Sequence, residues 1–474
     1  MSGKKNIYTT LFSDTAAFVI SNFASKILVF LLLPLYTSIL TTEEYGIADL
    51  ITNTVNVIYP ILTLSIMEAT LRFAFDENAN KSEVLKNSLF VIGISEAIII
   101  LFTPFVKYMS SEMAEYWGWF LIIYLGFNCQ QVLSQYTKGI GKTTIFAVSG
   151  VVQTITIIAS NILCLLVFGM GLSGYLFSIV AGYFVACTYL ILAGQVRLTC
   201  FHINKKLLLE MLRFSVPTIP TIVAWWISTS ADKYIIIAYS GVAASGVYSV
   251  AYKIPSILTM FTSMFTSAWT LSAIQNVGRK EDSQVHTIVY RYFNIANILG
   301  CSILILLSQF ISRILFGKDF YDAWHYVPLL LVAYVFSGLA GFMASSFRAT
   351  KNTEGLFTST IVGALLNIVL NFYFIKRFGN MGAAFTTMLG FAVTFYIRIY
   401  KIKKIVDIKI QLLRDSFAYL LLIVQAFLIS LEITNAYIIG LFVLIFILFL
   451  YKHELTQIIN KVLYLSRKMK GRKT

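Results

Sequence analysis

Apolar residues in this chain come in runs long enough to cross a bilayer as helices, about 20 residues each. Fourteen such runs can be read, near 11–38, 47–71, 88–108, 117–137, 145–168, 174–195, 214–239, 244–274, 288–312, 327–347, 355–375, 382–400, 412–431 and 434–451. The pattern predicts an all-α polytopic membrane protein with 14 transmembrane helices. The basic residues test that reading, because Lys and Arg should gather in alternate, cytoplasmic loops. With the N-terminus inside, the cytoplasmic segments collect Lys4, Lys5, Arg72, Lys81, Lys86, Lys138, Lys142, Arg197, Lys205, Lys206, Arg213, Arg279, Lys280, Arg291, Arg348 and Lys351, the stretch from Arg398 to Arg414 and the tail from Lys452. Only Lys107, Arg313, Lys318, Lys376 and Arg377 fall outside. Both termini are therefore expected in the cytoplasm.

The pattern also repeats. At an offset of 200, Tyr45–Leu50 (YGIADL) falls on Ser245–Val250 (SGVYSV), and each opens the second span of a set. At an offset of 210, Lys138, Thr143, Asn161, Phe168 and Gly169 fall on Arg348, Thr353, Asn371, Phe378 and Gly379. Spans 1–6 thus pair with spans 7–12. An even number of spans per set makes the repeat parallel, about an axis along the membrane normal. The expected domains are an N-lobe at 1–210, a C-lobe at 211–405, and spans 13–14 with a basic cytoplasmic tail at 406–474. Transporters built this way bind substrate near the midplane.

Polar residues inside the spans are the candidate chemistry. Asp232, Lys233 and Lys253 lie in apolar segments, where a charge costs about 2.5 to 3.5 kcal/mol on insertion scales and faces a cavity or a partner. Thr218, Thr221, Trp225, Ser228, Thr229 and Asp232 share an arc of roughly 100° on a helix. In the next span Ser245, Ser249, Tyr252, Ser256, Thr259, Ser263, Thr266 and Thr270 form one continuous stripe. Such a stripe can be a hydrogen-bonding seam between helices or the lining of an aqueous cavity, and the charges favour the cavity. In span 1, Asp14, Thr15, Ser21, Asn22, Ser25 and Lys26 share roughly 140°. Lys26 is about 22 Å deep at 1.5 Å per residue, as a cavity cation or a member of an ion pair. Glu68 and Arg72, one turn apart, are expected to pair and to act at a gate. Arg291, Asn294 and Asn297 step by three into span 9, as an interfacial anchor or an inner-gate ligand. Asn367 and Asn371 are expected to satisfy neighbouring helices, and Ser337, Gly341 and Ser345 form a small-residue packing face.

Composition narrows the function. The 474 residues are 58% hydrophobic and only 12% charged, with mean hydropathy +0.78, against about 25% charged in a soluble domain. No soluble catalytic domain is indicated. The net charge of +15 follows from topology rather than from a nucleic-acid surface. Cys129, Cys164, Cys187, Cys200 and Cys301 are scattered, without metal-ligand or disulfide-framework spacing. His202, His286, His325 and His453 offer no metal site, and no Ser/His/Asp grouping is present. Gly139–Thr144 (GIGKTT) lacks the glycine a phosphate loop needs where Tyr136 stands, and no strand precedes it. The N-terminus has no cleavable apolar core and is expected to be retained.

Three motifs carry a resemblance: Pro217–Pro255 (PTIP…W…DKYIIIAYSGVAASGVYSVAYKIP), Leu33–Leu50 (LPLYTSILTTEEYGIADL) and the FGMG and FGNMG turns. Together they resemble the polysaccharide-transporter family, the Wzx-type flippase branch of the multidrug/oligosaccharidyl-lipid/polysaccharide superfamily, over spans 1 to 12. The resemblance implies a two-lobe fold like that of the drug/cation antiporters and the lipid II flippase. It implies translocation of undecaprenyl-diphosphate-linked oligosaccharide across the bacterial cytoplasmic membrane for O-antigen, capsule or exopolysaccharide, without catalysis. It also implies that spans 13 and 14 border a groove for the polyprenyl tail. Combined with the polar stripes, substrate contact is expected at Asn22, Lys26, Trp225, Tyr248, Tyr252, Lys253 and Ser256. Gate or ion-coupling roles are expected at Glu68, Arg72, Asp232, Lys233 and Arg291. No cofactor is expected, and H⁺ or Na⁺ coupling is left open. Expected partners are the lipid-linked oligosaccharide, membrane lipids and polymerase or glycan-assembly proteins. Three alternatives stand: a multidrug/cation antiporter of the same fold, whose cavity should be rich in carboxylates; a membrane polysaccharide polymerase or ligase, which should carry a long outer loop; and a structural scaffold, which would not need charged stripes at depth.

Overall fold

The computed structural model describes residues 30–76, 79–106, 108, 114–194, 203–276, 282–349, 353–403, 408–457 and 460. Among them the chain is helical between short turns. Nine helices are long and apolar enough to cross a membrane, or ten if the bent pair Thr42–Leu62 and Ile66–Ala74 is one span. One of the nine, the stretch 354–402, holds two predicted spans. The protein is an all-α, multi-span membrane protein.

Local sequence explains the breaks. Helix α1 (Leu33–Ile39) ends at Leu40, and α2 (Thr42–Leu62) starts on a capping box. Thr41 Oγ1 accepts from the Glu44 amide at 3.1 Å, and Glu44 Oε2 accepts from the Thr41 amide at 2.9 Å. Past Pro60, Leu64 and Ser65 take positive φ and the chain bends 65° into α3 (Ile66–Ala74). Helices α4 (Lys81–Val106), α5 (Trp117–Gly139), α6 (Thr143–Asn161) and α7 (Gly171–Gly194) follow, then α8 (Lys205–Ser215). Helix α9 (Ile219–Ala251) is broken at Gly241, with φ 85°, and leads into α10 (Lys253–Asn276). Next come α11 (Asp282–Leu315), α12 (Val327–Ala349) and α13 (Thr353–Ile402). The last is broken at Gly379, with φ 55°; α14 (Leu412–Ser430) and α15 (Ala436–Leu450) complete the chain. Only glycine adopts these left-handed angles without a Cβ clash, so one residue separates span 7 from span 8, and another separates span 11 from span 12.

Two compact units emerge: 1–249 with Leu315–Phe320, and 250–314 with 321–474. The first unit has two apolar clusters. Ile66, Val84, Ile92, Val132, Leu190 and Met211 anchor one; Ile51, Val55, Ile99, Phe120, Tyr124 and Leu176 anchor the other. The far end of α9 belongs here because its backbone lies on α2. A Cβ at Gly246 would stand 2.0 Å from the Thr42 carbonyl oxygen and 3.0 Å from the Gly46 nitrogen, and one at Gly46 would stand 2.3 Å from the Val242 oxygen. Small residues permit this approach between membrane helices. Gly46 and Gly246 are themselves matched at the offset of 200, so equivalent positions of the repeat meet.

In the second unit, the Arg398 guanidinium is buried and donates to Ser359 Oγ (3.1 Å), the Ala340 carbonyl (2.7 Å) and Thr360 Oγ1 (2.9 Å). Asn371 donates to Asn367 at 3.1 Å and accepts from Thr386, so Asn371 is satisfied as expected, whereas the buried Nδ2 of Asn367 makes no hydrogen bond among the described residues. The C-terminal helices are tied in by Arg414, which pairs with Glu454 at 2.6 Å and lies 4.4 Å over the Tyr451 ring. Tyr451 in turn donates to Asp415 at 2.9 Å.

Candidate functional site

The most concentrated chemistry in the first unit lies where α2 crosses α9. Asp49 sits one turn past Gly46, on the face of α2 that the glycine lets α9 approach. Its carboxylate takes the Lys233 ammonium at 2.9 and 3.1 Å, the Ser249 hydroxyl at 2.7 Å and the Asn53 amide at 2.8 Å. The side chains of Lys233 and Asp49 are only 12% and 18% exposed. Beside them Asp232, 2% exposed, accepts from the Tyr248 hydroxyl at 3.0 Å and from the Lys233 amide at 3.0 Å. Tyr234 and Thr54 share a 2.8 Å hydroxyl hydrogen bond. Lys233 is eight residues before Gly241, about 12 Å at a helical rise.

Among the described residues, Asp49, Asp232 and Lys233 bring two acids and one base to this crossing. Asp49 is charge-balanced and has neutral donors as well, and the contacts of Asp232 include a hydroxyl and an amide. The arrangement pins α2 to both arms of α9: Lys233 before the break at Gly241, Ser249 after it. Nothing in it resembles a catalytic grouping, and among the described residues no cluster of three His, Cys, Asp or Glu could hold a metal ion. It is a polar lock between helices.

Residues 11–270, more than half of the chain, match the family described as polysaccharide biosynthesis protein. The chain belongs to that family. The MatE family model also matches, over residues 217–373. Among curated proteins, the probable low-salt glycan biosynthesis flippase Agl15 of Haloferax volcanii is 24% identical over 175 residues, 35% of this chain and 36% of that protein. The match therefore spans about a third of that relative's length. An uncharacterized membrane protein of Methanocaldococcus jannaschii is 22% identical over 422 residues, 84% of this chain and 99% of that one. Among solved structures, the inward closed lipid II flippase MurJ has TM-score 0.68 at 18% identity, covering 92% of this chain and 99% of that one. An inward-facing multidrug resistance MATE family transporter of the MOP superfamily has TM-score 0.68 at 14% identity, covering 80% and 95%. The chain shares its fold with both.

The residues expected from sequence fall as follows. Lys26 and Asn22 lie outside the described residues. Trp225 is 65% exposed on α9. Tyr248 is buried, with its hydroxyl on Asp232. In the second unit Tyr252 sets its ring edge-on to Tyr334 at 6.0 Å, and half-buried Lys253 opens α10. Ser256 donates to the Lys253 carbonyl. The hydroxyls that follow bond back to their own helix: Thr259 to Ser256, Ser263 to Met260, Thr266 to Thr262 and Thr270 to Thr266. Two members of the stripe also reach another helix among the described residues: Ser249 donates to Asp49 (2.7 Å), and Thr270 shares a hydrogen bond with Ser345 (2.7 Å). Glu68 and Arg72 are exposed on α3 with no ion pair between them among the described residues. Arg291 is half-buried on α11, while its companion Asn294 accepts from Tyr419 at 2.7 Å. Sequence reasoning passed over Asp49. Its signal was present: an acid within an apolar run, at the repeat position of Ser249.

Proposed function

We propose that this protein is a flippase that carries polyprenyl-diphosphate-linked oligosaccharide across the cytoplasmic membrane for surface-glycan assembly, and that it performs no covalent chemistry. Membership of the polysaccharide biosynthesis family, the flippase among its relatives and the fold shared with a lipid II flippase all support the reading. Undecaprenol as the carrier and O-antigen, capsule or exopolysaccharide as the product are its finer form, with polymerase or assembly proteins downstream. The moving bodies are the lobes at 1–210 and 211–405, and spans 13–14 border the lipid tail. Lys26 and Lys253 supply the positive charge that draws a diphosphate from the headgroup region, and Trp225 and the hydroxyl stripe from Ser256 carry the sugar.

The observation that bears most on mechanism is the Asp49–Lys233–Ser249 lock. It fastens a span of the first lobe to the start of the second, near the Gly241 turn, which the basic-residue pattern sets outside. A closed outer gate is its simplest role. Breaking the lock releases α9 from α2 and opens the site outward, with Asp232 and Tyr248 repacking alongside. The MatE match over residues 217–373 favours a second reading, a drug or cation antiporter. Lipid-linked glycan in a deletion strain separates the two. A flippase leaves it accumulated on the inner leaflet, restored to the surface by the wild-type chain. Lys26→Ala and Lys253→Ala should each fail to restore it at normal expression, and each Lys→Arg should restore part. Normal surface glycan from both alanine variants would mean the lysines are structural. No accumulated glycan, with altered drug sensitivity, would favour the antiporter.

A further inference from the structure

One acid in the first unit has no charged partner among the described residues. Glu96 stands fifteen residues beyond Lys81 in α4, about 22 Å along the axis and so near the middle of a span. Its Oε2 is buried and accepts no hydrogen bond. Close by, on α5, are Tyr124 and Asn128, both fully buried. The Tyr124 hydroxyl faces Ser95 and Asn128, yet neither it nor either side-chain amide atom of Asn128 has a partner in good hydrogen-bond geometry among the described residues. Ser95, beside Tyr124, is already engaged with the Ile92 carbonyl at 2.8 Å. The group lies at the seam of the unit's two apolar clusters, with Ile92 and Val132 on one side and Ile99 and Phe120 on the other.

Buried polar atoms nearly always have partners, so four orphans in one place point to something that joins them. Internal water does this in polar cavities, making about three hydrogen bonds per molecule. The carboxyl itself needs a compensating cation, because an ionised acid at membrane depth is expensive. The titratable groups acting with Glu96 are Tyr124 and Cys129 of α5, with Cys187 of α7 behind Cys129; no Lys or Arg acts on it among the described residues. A metal cation prefers a shell of several oxygens, more than one carboxylate, one amide and a free hydroxyl supply. A proton needs only the carboxyl oxygen.

We propose that Glu96 is a proton-binding carboxyl, that Tyr124 and Asn128 order the water through which the proton comes and goes, and that its occupancy couples proton movement to transport. The coupling clause rests on the transporter reading above; the binding clause does not. The site is remote from the lock at Asp49, so protonation and gate can be perturbed separately.

Two measurements on the full-length protein in lipid nanodiscs and vesicles test this. Infrared titration with protons as the probe should show a protonated-carboxyl band that vanishes as pH rises and is missing in Glu96→Gln. Uptake of the lipid-linked glycan by vesicles should be accelerated by a pH gradient in the wild type and not in Glu96→Gln, with Glu96→Asp keeping part of the acceleration. The near-isosteric amide preserves the fold, which gel filtration and the melting curve check. A band that persists unchanged in Glu96→Gln, or a rate that follows sodium and ignores pH, would overturn the proposal. If the wild type moves no glycan at all while the band behaves as expected, the flippase reading fails and the proton site stands.

Discussion

The lock at the α2–α9 crossing allows a quantitative test. Lys233→Met keeps length and volume but removes the charge from a pair 2.9 Å apart. At an effective dielectric of about 20 the Coulomb energy lost is roughly 6 kcal/mol, most of it offset by the hydration that the folded pair gives up. Breaking a fully buried pair costs about 3–5 kcal/mol. Here both side chains keep some exposure, 12% and 18%, and Asp49 retains Ser249 and Asn53 as donors. The cost should therefore sit near 3 kcal/mol, about a hundredfold in the gate equilibrium. Removing both partners, as Asp49→Asn with Lys233→Met, should recover much of it, because no uncompensated charge remains. The assay is labelling of Ser245→Cys, a buried position, by an impermeant thiol reagent in a cysteine-free background. The Lys233→Met change should raise the labelling rate by one to two decades, and the double variant should bring it back toward wild type. An unchanged rate in the single variant, with only a lowered melting temperature, would show that the pair is structural and does not hold a gate.

Two further outcomes follow. Gly246→Ala sets a methyl group against the Thr42 carbonyl, so the helices must part; it should lower the melting temperature and raise labelling at Ser245→Cys, whereas Gly300→Ala, whose nearest neighbour is 3.8 Å away, should do neither. Single cysteines at Gly171 and Gly241 should react with impermeant reagent from outside, and those at Lys205 and Lys403 only after permeabilisation; reversal of any pair would refute the orientation read from the basic residues.

What the sequence determined by itself was everything set by local pattern. The apolar runs, the capping box at Thr41 and Glu44, and the breaks at Gly241 and Gly379 depend on neighbours along the chain. The family likeness also lay in the sequence, in short motifs whose order carried it. What only the tertiary structure decided was which polar groups meet. Lys233 could be recognised as a costly charge, but its partner depended on how closely α9 approaches α2, which the Gly46–Gly246 contact sets across two hundred residues. The same holds for Tyr248, whose hydroxyl could be recognised as a candidate polar contact but whose partner, Asp232, depended on packing. It holds for Arg398 too: a basic residue near a loop in the linear reading, it turns inward because Ser359, Thr360 and the Ala340 carbonyl from neighbouring segments receive it. Glu96 shows the limit most clearly. An acid in an apolar run is visible in any sequence, yet whether it is paired or alone is settled only by the helices packed around it, since burial and hydrogen bonding are properties of the assembled bundle.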